Sequence, residues 1–198
     1  MLALLQAAVL IFAAAISPGP NNVIVMNAAA RDGLRGGGRA IAGVIVGSLL
    51  LLALSSGGVA ALIVAEPRAH QALSWLGAGW LIWTGGTMIL RVGAVAGATG
   101  LTLPGTVLGV AVFQLINPKA WLLVLAATAT ATTGAGGLQS GNVPALAAVL
   151  VGVTSFCLAF WGLAGAALGP WLAVPSRRKT FDRLMGSVLI ASALLLLT

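Results

Sequence analysis

Ser17-Pro18-Gly19-Pro20-Asn21-Asn22 interrupts a hydrophobic run that begins at Leu2, at the depth where a membrane helix would carry Ala, Leu or Val. Two prolines remove backbone donors and Gly19 adds freedom. The run is therefore expected to break into two half-helices with unpaired backbone groups near the middle of a bilayer. Such a break is tolerated only where it is buried in protein or lines a wet cavity. A second break, Ile116-Asn117-Pro118-Lys119, sits in the first hydrophobic run of the other half of the chain.

The composition supports reading these runs as membrane spans. Of 198 residues, 60% are hydrophobic and only 7% charged, and the mean hydropathy is +1.09. A water-soluble domain does not reach these values. A spanning helix needs about 20 mostly apolar residues, and the chain divides into six such runs with no stretch left over for a soluble domain. The net charge of +7 sits in the connections between runs. Loop charge of this kind arises from the positive-inside rule and does not point to nucleic acid. A single cysteine, Cys157, lies mid-run among Phe156, Leu158 and Phe160, so it reads as an apolar filler with no disulfide partner in the chain.

In order, span 1 covers residues 2–30 and ends in a basic Gly-rich turn from Arg31 to Arg39 that also holds Asp32. With no basic segment ahead of it, this run reads as a span and not as a cleaved signal. Span 2, at 40–65, carries Gly43 and Gly47 at a spacing that lets helix backbones approach closely, which predicts an inner, packed helix. Span 3 covers 72–90, with Trp75, Trp80 and Trp83 spread along it. Span 4 starts near Gly105 and contains the second break; span 5 covers 145–168 and span 6 covers 184–198. The Gly-rich loop at 134–144 lacks the pattern of a phosphate cradle. The expected fold is all-α: one polytopic transmembrane domain over 1–198, with a three-helix repeat at 1–91, a linker at 92–105 and a second three-helix repeat at 106–198.

Lys and Arg over alternate connections number eight against one, with Arg68 the lone basic residue on the minority side. This places the odd loops in the cytoplasm and both termini outside. Three spans per half put two related halves in opposite orientations, so an inverted repeat is expected, with helices 1 and 4 interrupted. Phe12 and Phe113 each precede a break, and Leu76-Gly77-Ala78 is similar to Met185-Gly186-Ser187. Interrupted spans in corresponding positions point to a transporter's substrate site.

Lys119 is the one charged residue well inside a span. An ionised side chain there costs from about 2.5 to over 10 kcal/mol unless it is paired or hydrated. Asp32, Glu66 and Asp182 all lie at span ends, so either the counter-charge is a small molecule bearing a carboxylate, or Lys119 snorkels to an interface or bonds broken-helix carbonyls purely for structure. For a bound molecule, freed N–H groups after the breaks would add donors and exposed carbonyls would suit an ammonium. Asn21, Asn22, Gln114 and Asn117 are placed to orient it. The substrate-binding set is thus Ser17, Pro18, Gly19, Pro20, Asn21, Asn22, Gln114, Asn117, Pro118 and Lys119.

Taken together, Ser17-Pro18-Gly19-Pro20-Asn21, the Arg31 to Arg39 turn, the run from Trp75 to Leu81, and Phe113 through Asn117-Pro118-Lys119-Ala120-Trp121 resemble the lysine-exporter (LysE/RhtB) family over essentially the whole chain. The resemblance implies a multi-pass exporter of amino acids or related small metabolites in the bacterial inner membrane, with no cofactor and with the two breaks as its core. Many members carry an acidic residue after a glycine in span 2, where this chain reads Gly47-Ser48. With that carboxylate absent, coupling is expected to use a boundary carboxylate, with Asp32 the candidate, another ion, or only the substrate gradient.

Rival classes ask for residues that are scarce here. Electron carriers need paired cysteines and metal carriers need His or carboxylate clusters. Apart from Cys157, only His70 in an outer turn is available. An intramembrane hydrolase would have to use Ser17 with Lys119, and a non-transporting membrane subunit would leave Lys119 without a role. The chain is therefore read as not an enzyme. Its expected partners are the amino-acid substrate, the lipid bilayer and, through exposed small-residue faces, a second copy in a homodimer, with no nucleic acid.

Overall fold

A computed structural model describes residues 2–57, 67–90, 105–132 and 142–197. Among them are seven α-helices and no strand. These are α1 (Leu2–Ile16), α2 (Pro20–Ser56), α3 (Pro67–Leu90), α4 (Val107–Ile116), α5 (Pro118–Thr132), α6 (Asn142–Leu168) and α7 (Pro175–Leu197), with a 3-10 turn at Trp171–Ala173. Among the described residues, two helices are long and apolar enough to cross a membrane, and α4 with α5, bent by 73° at their junction, are a third candidate if the pair is one broken span. The multi-pass membrane reading holds at this level.

Both expected interruptions are present. Ser17, Pro18 and Gly19 separate α1 from α2, with Pro20 in the first turn of α2, where its missing N–H costs nothing. Asn117 separates α4 from α5, and Pro118 opens the second half in the same way.

α2 is not one straight rod. Gly33 has φ 66° and ψ −161° inside it, a left-handed region that glycine enters without steric cost. A Cβ on Gly36 would lie 2.5 Å from the Ala28 carbonyl oxygen. Residues eight apart on a straight helix are about 12 Å apart along its axis, so the chain doubles back at Gly33. The basic turn expected over Arg31 to Arg39 is thus tighter than the sequence implies: helix runs to Asp32 and resumes at Leu34.

Other boundaries move as well. α6 starts at Asn142, and α7 starts at Pro175, so Arg177, Arg178, Lys179 and Arg183 lie on helical turns and not in a loop. The expected linker at 92–105 lies outside the described residues except for Gly105, as do the end of span 2 and most of the 134–144 loop.

Packing follows membrane logic. On α1, Ala7, Ile11 and Ala15 recur every four residues and are buried, while Leu2, Leu5, Val9 and Phe12 face outward. Large apolar residues on the outside suit a lipid solvent. Gly43 and Gly47 do make span 2 an inner helix: a Cβ on Gly43 would lie 2.6 Å from Val110 Cβ, and one on Gly47 2.5 Å from Gln114 Cβ. Of the span 3 tryptophans, Trp75 and Trp83 are exposed, while Trp80 packs on Phe113 with ring centroids 4.3 Å apart. One apolar cluster gathers residues 23–26 with Val44, Phe113 and Leu158. A second gathers Ala7, Ile11 and Leu51 with Ala120, Trp121 and Leu150. The two breaks lie against both clusters.

Candidate functional site

A helix end leaves four carbonyls without intrahelical partners, and at the end of α1 the fold supplies a partner for each. Ala13 O accepts from Ser17 N at 3.3 Å, and Ala14 O accepts from Ser17 Oγ at 2.9 Å. Ala15 O accepts from Asn22 Nδ2 at 3.1 Å, and Ile16 O from Trp161 Nε1 at 3.3 Å. Asn22 Nδ2 also donates to Ser17 O at 2.9 Å, so its amide is committed to holding the break in shape.

The second break is built similarly. Asn117 N donates to Gln114 O at 3.2 Å, and Trp121 Nε1 donates to Leu115 O at 2.7 Å. Asn117 then caps α5 from its side chain, with Lys119 N donating to Asn117 Oδ1 at 3.1 Å. Asn is favoured at this position because its oxygen satisfies an orphan N–H.

The breaks are joined to each other. Asn117 Nδ2 donates to Asn21 Oδ1 at 3.3 Å and to Gln114 Oε1 at 3.2 Å, and Gln114 Nε2 donates to Ser48 Oγ at 3.0 Å. Lys119 reaches across to the first break, its Nζ 3.0 Å from Ser17 Oγ and 3.4 Å from both Ser17 O and Pro18 O. Gly19 makes room for it: a Cβ there would lie 2.8 Å from Nζ.

These contacts decide what the lysine can do. Carbonyl oxygens only accept, and the Ser17 hydroxyl proton is directed to Ala14 O, so all three Nζ contacts are donations, matching the three N–H groups of an ammonium. A Ser–Lys nucleophile needs the reverse arrangement, with the serine proton passing to a free amine. The geometry is that of an amine donating to the oxygens of the first break and does not match the hydrolase alternative.

A cavity of about 30 Å³ lies between the breaks, lined by Gly19, Asn21, Asn22, Ser48, Gln114, Asn117, Lys119 and Thr154, with Ala14, Ala120, Leu123 and Leu158 as apolar wall. That is room for only a few water molecules, too little for an amino acid in this conformation. No carboxylate is among its lining residues, and Lys119 is the only cation there.

Of the sequence-derived set, Gly19, Pro20, Asn21, Asn22, Gln114, Asn117 and Lys119 line the cavity, and Ser17 and Pro18 hold the lysine. Pro118 opens α5 beside them. Asp32 is exposed at the Gly33 reversal and does not line the cavity.

Two lining hydroxyls, Ser48 and Thr154, were not in the sequence-derived set. Ser48 carried a signal, since it occupies the position where the resemblance expects an acid. Thr154 carried none. No three His, Cys, Asp or Glu side chains among the described residues gather as metal ligands. A separate polar cluster fixes α7 to the outer part of α2: Arg178 Nε is 3.0 Å from Asp182 Oδ1, and Arg178 Nη2 donates to Asn27 Oδ1 at 2.8 Å.

A family model described as LysE type translocator matches residues 12–198. The cysteine/O-acetylserine efflux protein of Escherichia coli strain K12 is 38% identical over 69 residues, 35% of this chain and 35% of that protein. The protein of the same name from Shigella sonnei strain Ss046 matches to the same extent. The aligned stretch thus spans about a third of the length of these curated relatives. No solved structure matches.

Proposed function

We propose, from the premise that this chain belongs to the LysE type translocator family, that it is a secondary transporter. It exports amino acids or related small carboxylate-bearing metabolites across the bacterial cytoplasmic membrane by alternating access. The observation that carries the reading is the bridge from Lys119 to Ser17 and Pro18, which ties the two helix breaks together over a closed polar cavity. A substrate carboxylate is the natural partner for Lys119, and the carbonyls that the lysine vacates are acceptors for a substrate ammonium. Because the cavity has room for only a few waters, binding requires the two breaks to separate. Relatives named for efflux of cysteine and O-acetylserine point to small substrates.

Six spans in two inverted repeats best account for the arrangement. α3 and α7 cross where a Cβ on Gly85 would meet Gly186 O at 2.5 Å and one on Gly186 would meet Gly85 O at 2.6 Å. A two-fold relation exchanging the two helices produces such a reciprocal contact. It pairs Gly186 with Gly85, and not with the Gly77 that the sequence comparison suggests. The basic residues keep the odd connections in the cytoplasm and both termini outside. Asp32, on the first of those connections, is the coupling carboxylate in this scheme, and the open small-residue faces at Gly79 and Gly152 are available to a second copy.

The test is efflux from cells preloaded with a panel of amino acids, comparing the native chain, Lys119→Met and Asp32→Asn. Native export of at least one small amino acid, reduced at least tenfold by Lys119→Met, is expected. Unchanged export in that variant removes the carboxylate-binding role. Asp32→Asn is expected to uncouple export from the proton gradient, and wild-type coupling in it would exclude Asp32. A C-terminal reporter active only in the cytoplasm would reverse the orientation.

A further inference from the structure

Hydroxyls inside helices ordinarily bond back to a carbonyl one turn earlier. Here Ser56 does so to Leu52 at 2.8 Å, Thr128 to Val124 at 2.7 Å, Thr130 to Ala126 at 2.7 Å and Ser192 to Val188 at 2.8 Å. Thr154, in the middle of α6, does not. Its side chain is 4% exposed, its Oγ1 has no hydrogen-bond partner among the described residues, and it lines the cavity between the breaks. Ser55 is also unpartnered, but it is not among the cavity's lining residues. A buried hydroxyl without a partner is costly, and the helix offers a remedy that Thr154 forgoes.

Each of the other lining polar side chains makes at least one hydrogen bond. Ser48 is bonded to Gln114, Gln114 to Asn117, Asn117 to Asn21, and Lys119 to the first break. Thr154 alone presents a polar atom with both donor and acceptor capacity unspent. It comes from α6, apart from the two breaks joined by Lys119, and its neighbours on the wall, Leu158 and Leu123, offer nothing polar to a side chain.

We propose that Thr154 is the specificity-determining residue of this site, donating to or accepting from a hydroxyl, thiol or O-acyl group on the β-carbon of a small amino-acid substrate. This rests on the export reading above and names the substrate class within it. A site that hydrogen-bonds a substrate group rejects the analogue lacking it, because its own polar group is then left unpaired. Serine should therefore be carried in preference to alanine, which has the same skeleton without the oxygen.

The full-length chain, purified and reconstituted into proteoliposomes preloaded with equal labelled L-serine and L-alanine, reads this as a ratio of export rates. The native protein is expected to favour serine by about tenfold, Thr154→Val to bring the ratio near one, and Thr154→Ser to retain the native ratio. An unchanged ratio in Thr154→Val, in a chain that exports both amino acids, overturns the assignment alone and leaves the hydroxyl to a cavity water. Export of neither amino acid by the native chain, against protein-free liposomes, overturns the transport reading for this substrate class and the assignment with it. Thermal melting confirms that the variants fold, and Thr154→Ala reads the same ratio should the valine variant fail to do so.

Discussion

Lys119 Nζ donates to Ser17 Oγ at 3.0 Å across 102 residues of sequence, and this contact joins the two helix breaks. Neither break could hold its shape alone in lipid, because each exposes backbone groups that hydrocarbon cannot satisfy. Each is completed from elsewhere: the first by Asn22, Trp161 and Lys119, the second by Trp121 and by the cap from Asn117. Tension between the two follows from the closed cavity. The groups that would bind substrate are bonded to one another, so substrate must displace them.

Gly19 has a steric role here. A methyl group at this position would sit 2.8 Å from Lys119 Nζ, while the backbone itself is extended (φ −177°, ψ −177°) and open to any residue. Gly19→Ala should therefore fold but push the lysine off its carbonyls, at about 1–3 kcal/mol of stability. A lowered melting temperature in detergent with export reduced at least fivefold is expected. Native-like values in both would show that the lysine has room to move.

Asn117 serves two functions that a pair of substitutions separates. Its Oδ1 caps α5 and its Nδ2 bridges to Asn21 and Gln114. Asn117→Asp keeps the acceptor and loses the bridge, while Asn117→Ala loses both. The alanine variant should be the less stable by about 0.5–2 kcal/mol, the value of a cap, and both should transport poorly. Denaturation in mixed micelles measures the difference, and equal stabilities would assign the cap no weight.

Cys157 is fully buried, with Sγ 4.0 Å from Phe12 O, at the contact between α1 and α6. As the chain's single cysteine, it is a clean reporter of that packing. A membrane-permeant maleimide should leave the native protein unlabelled for hours and modify it within minutes after denaturation. Rapid labelling of the native form would mean that α1 does not sit against α6.

How much was legible beforehand follows from how local each cause is. Gly43 and Gly47 announced a packed helix by spacing, and Pro18, Pro20 and Pro118 announced the breaks, since a missing N–H acts wherever the residue stands. Gly33 was hidden among the glycines of its turn. Only the fold shows that, among the described residues, it alone takes a positive φ and that the chain reverses there.

Sequence by itself therefore determined that this chain is helical, lies in a membrane, breaks two of its spans and carries a lone lysine beside one break. These are consequences of composition and of backbone chemistry, which no neighbour needs to supply. Tertiary structure decided which groups face one another. Lys119 meets Ser17 and Ser48 meets Gln114 because helices from distant parts of the chain cross there, and Thr154 is left unpartnered in the cavity because its helix turns that face inward. A hydroxyl in an apolar run looks the same from either side until the packing gives it one.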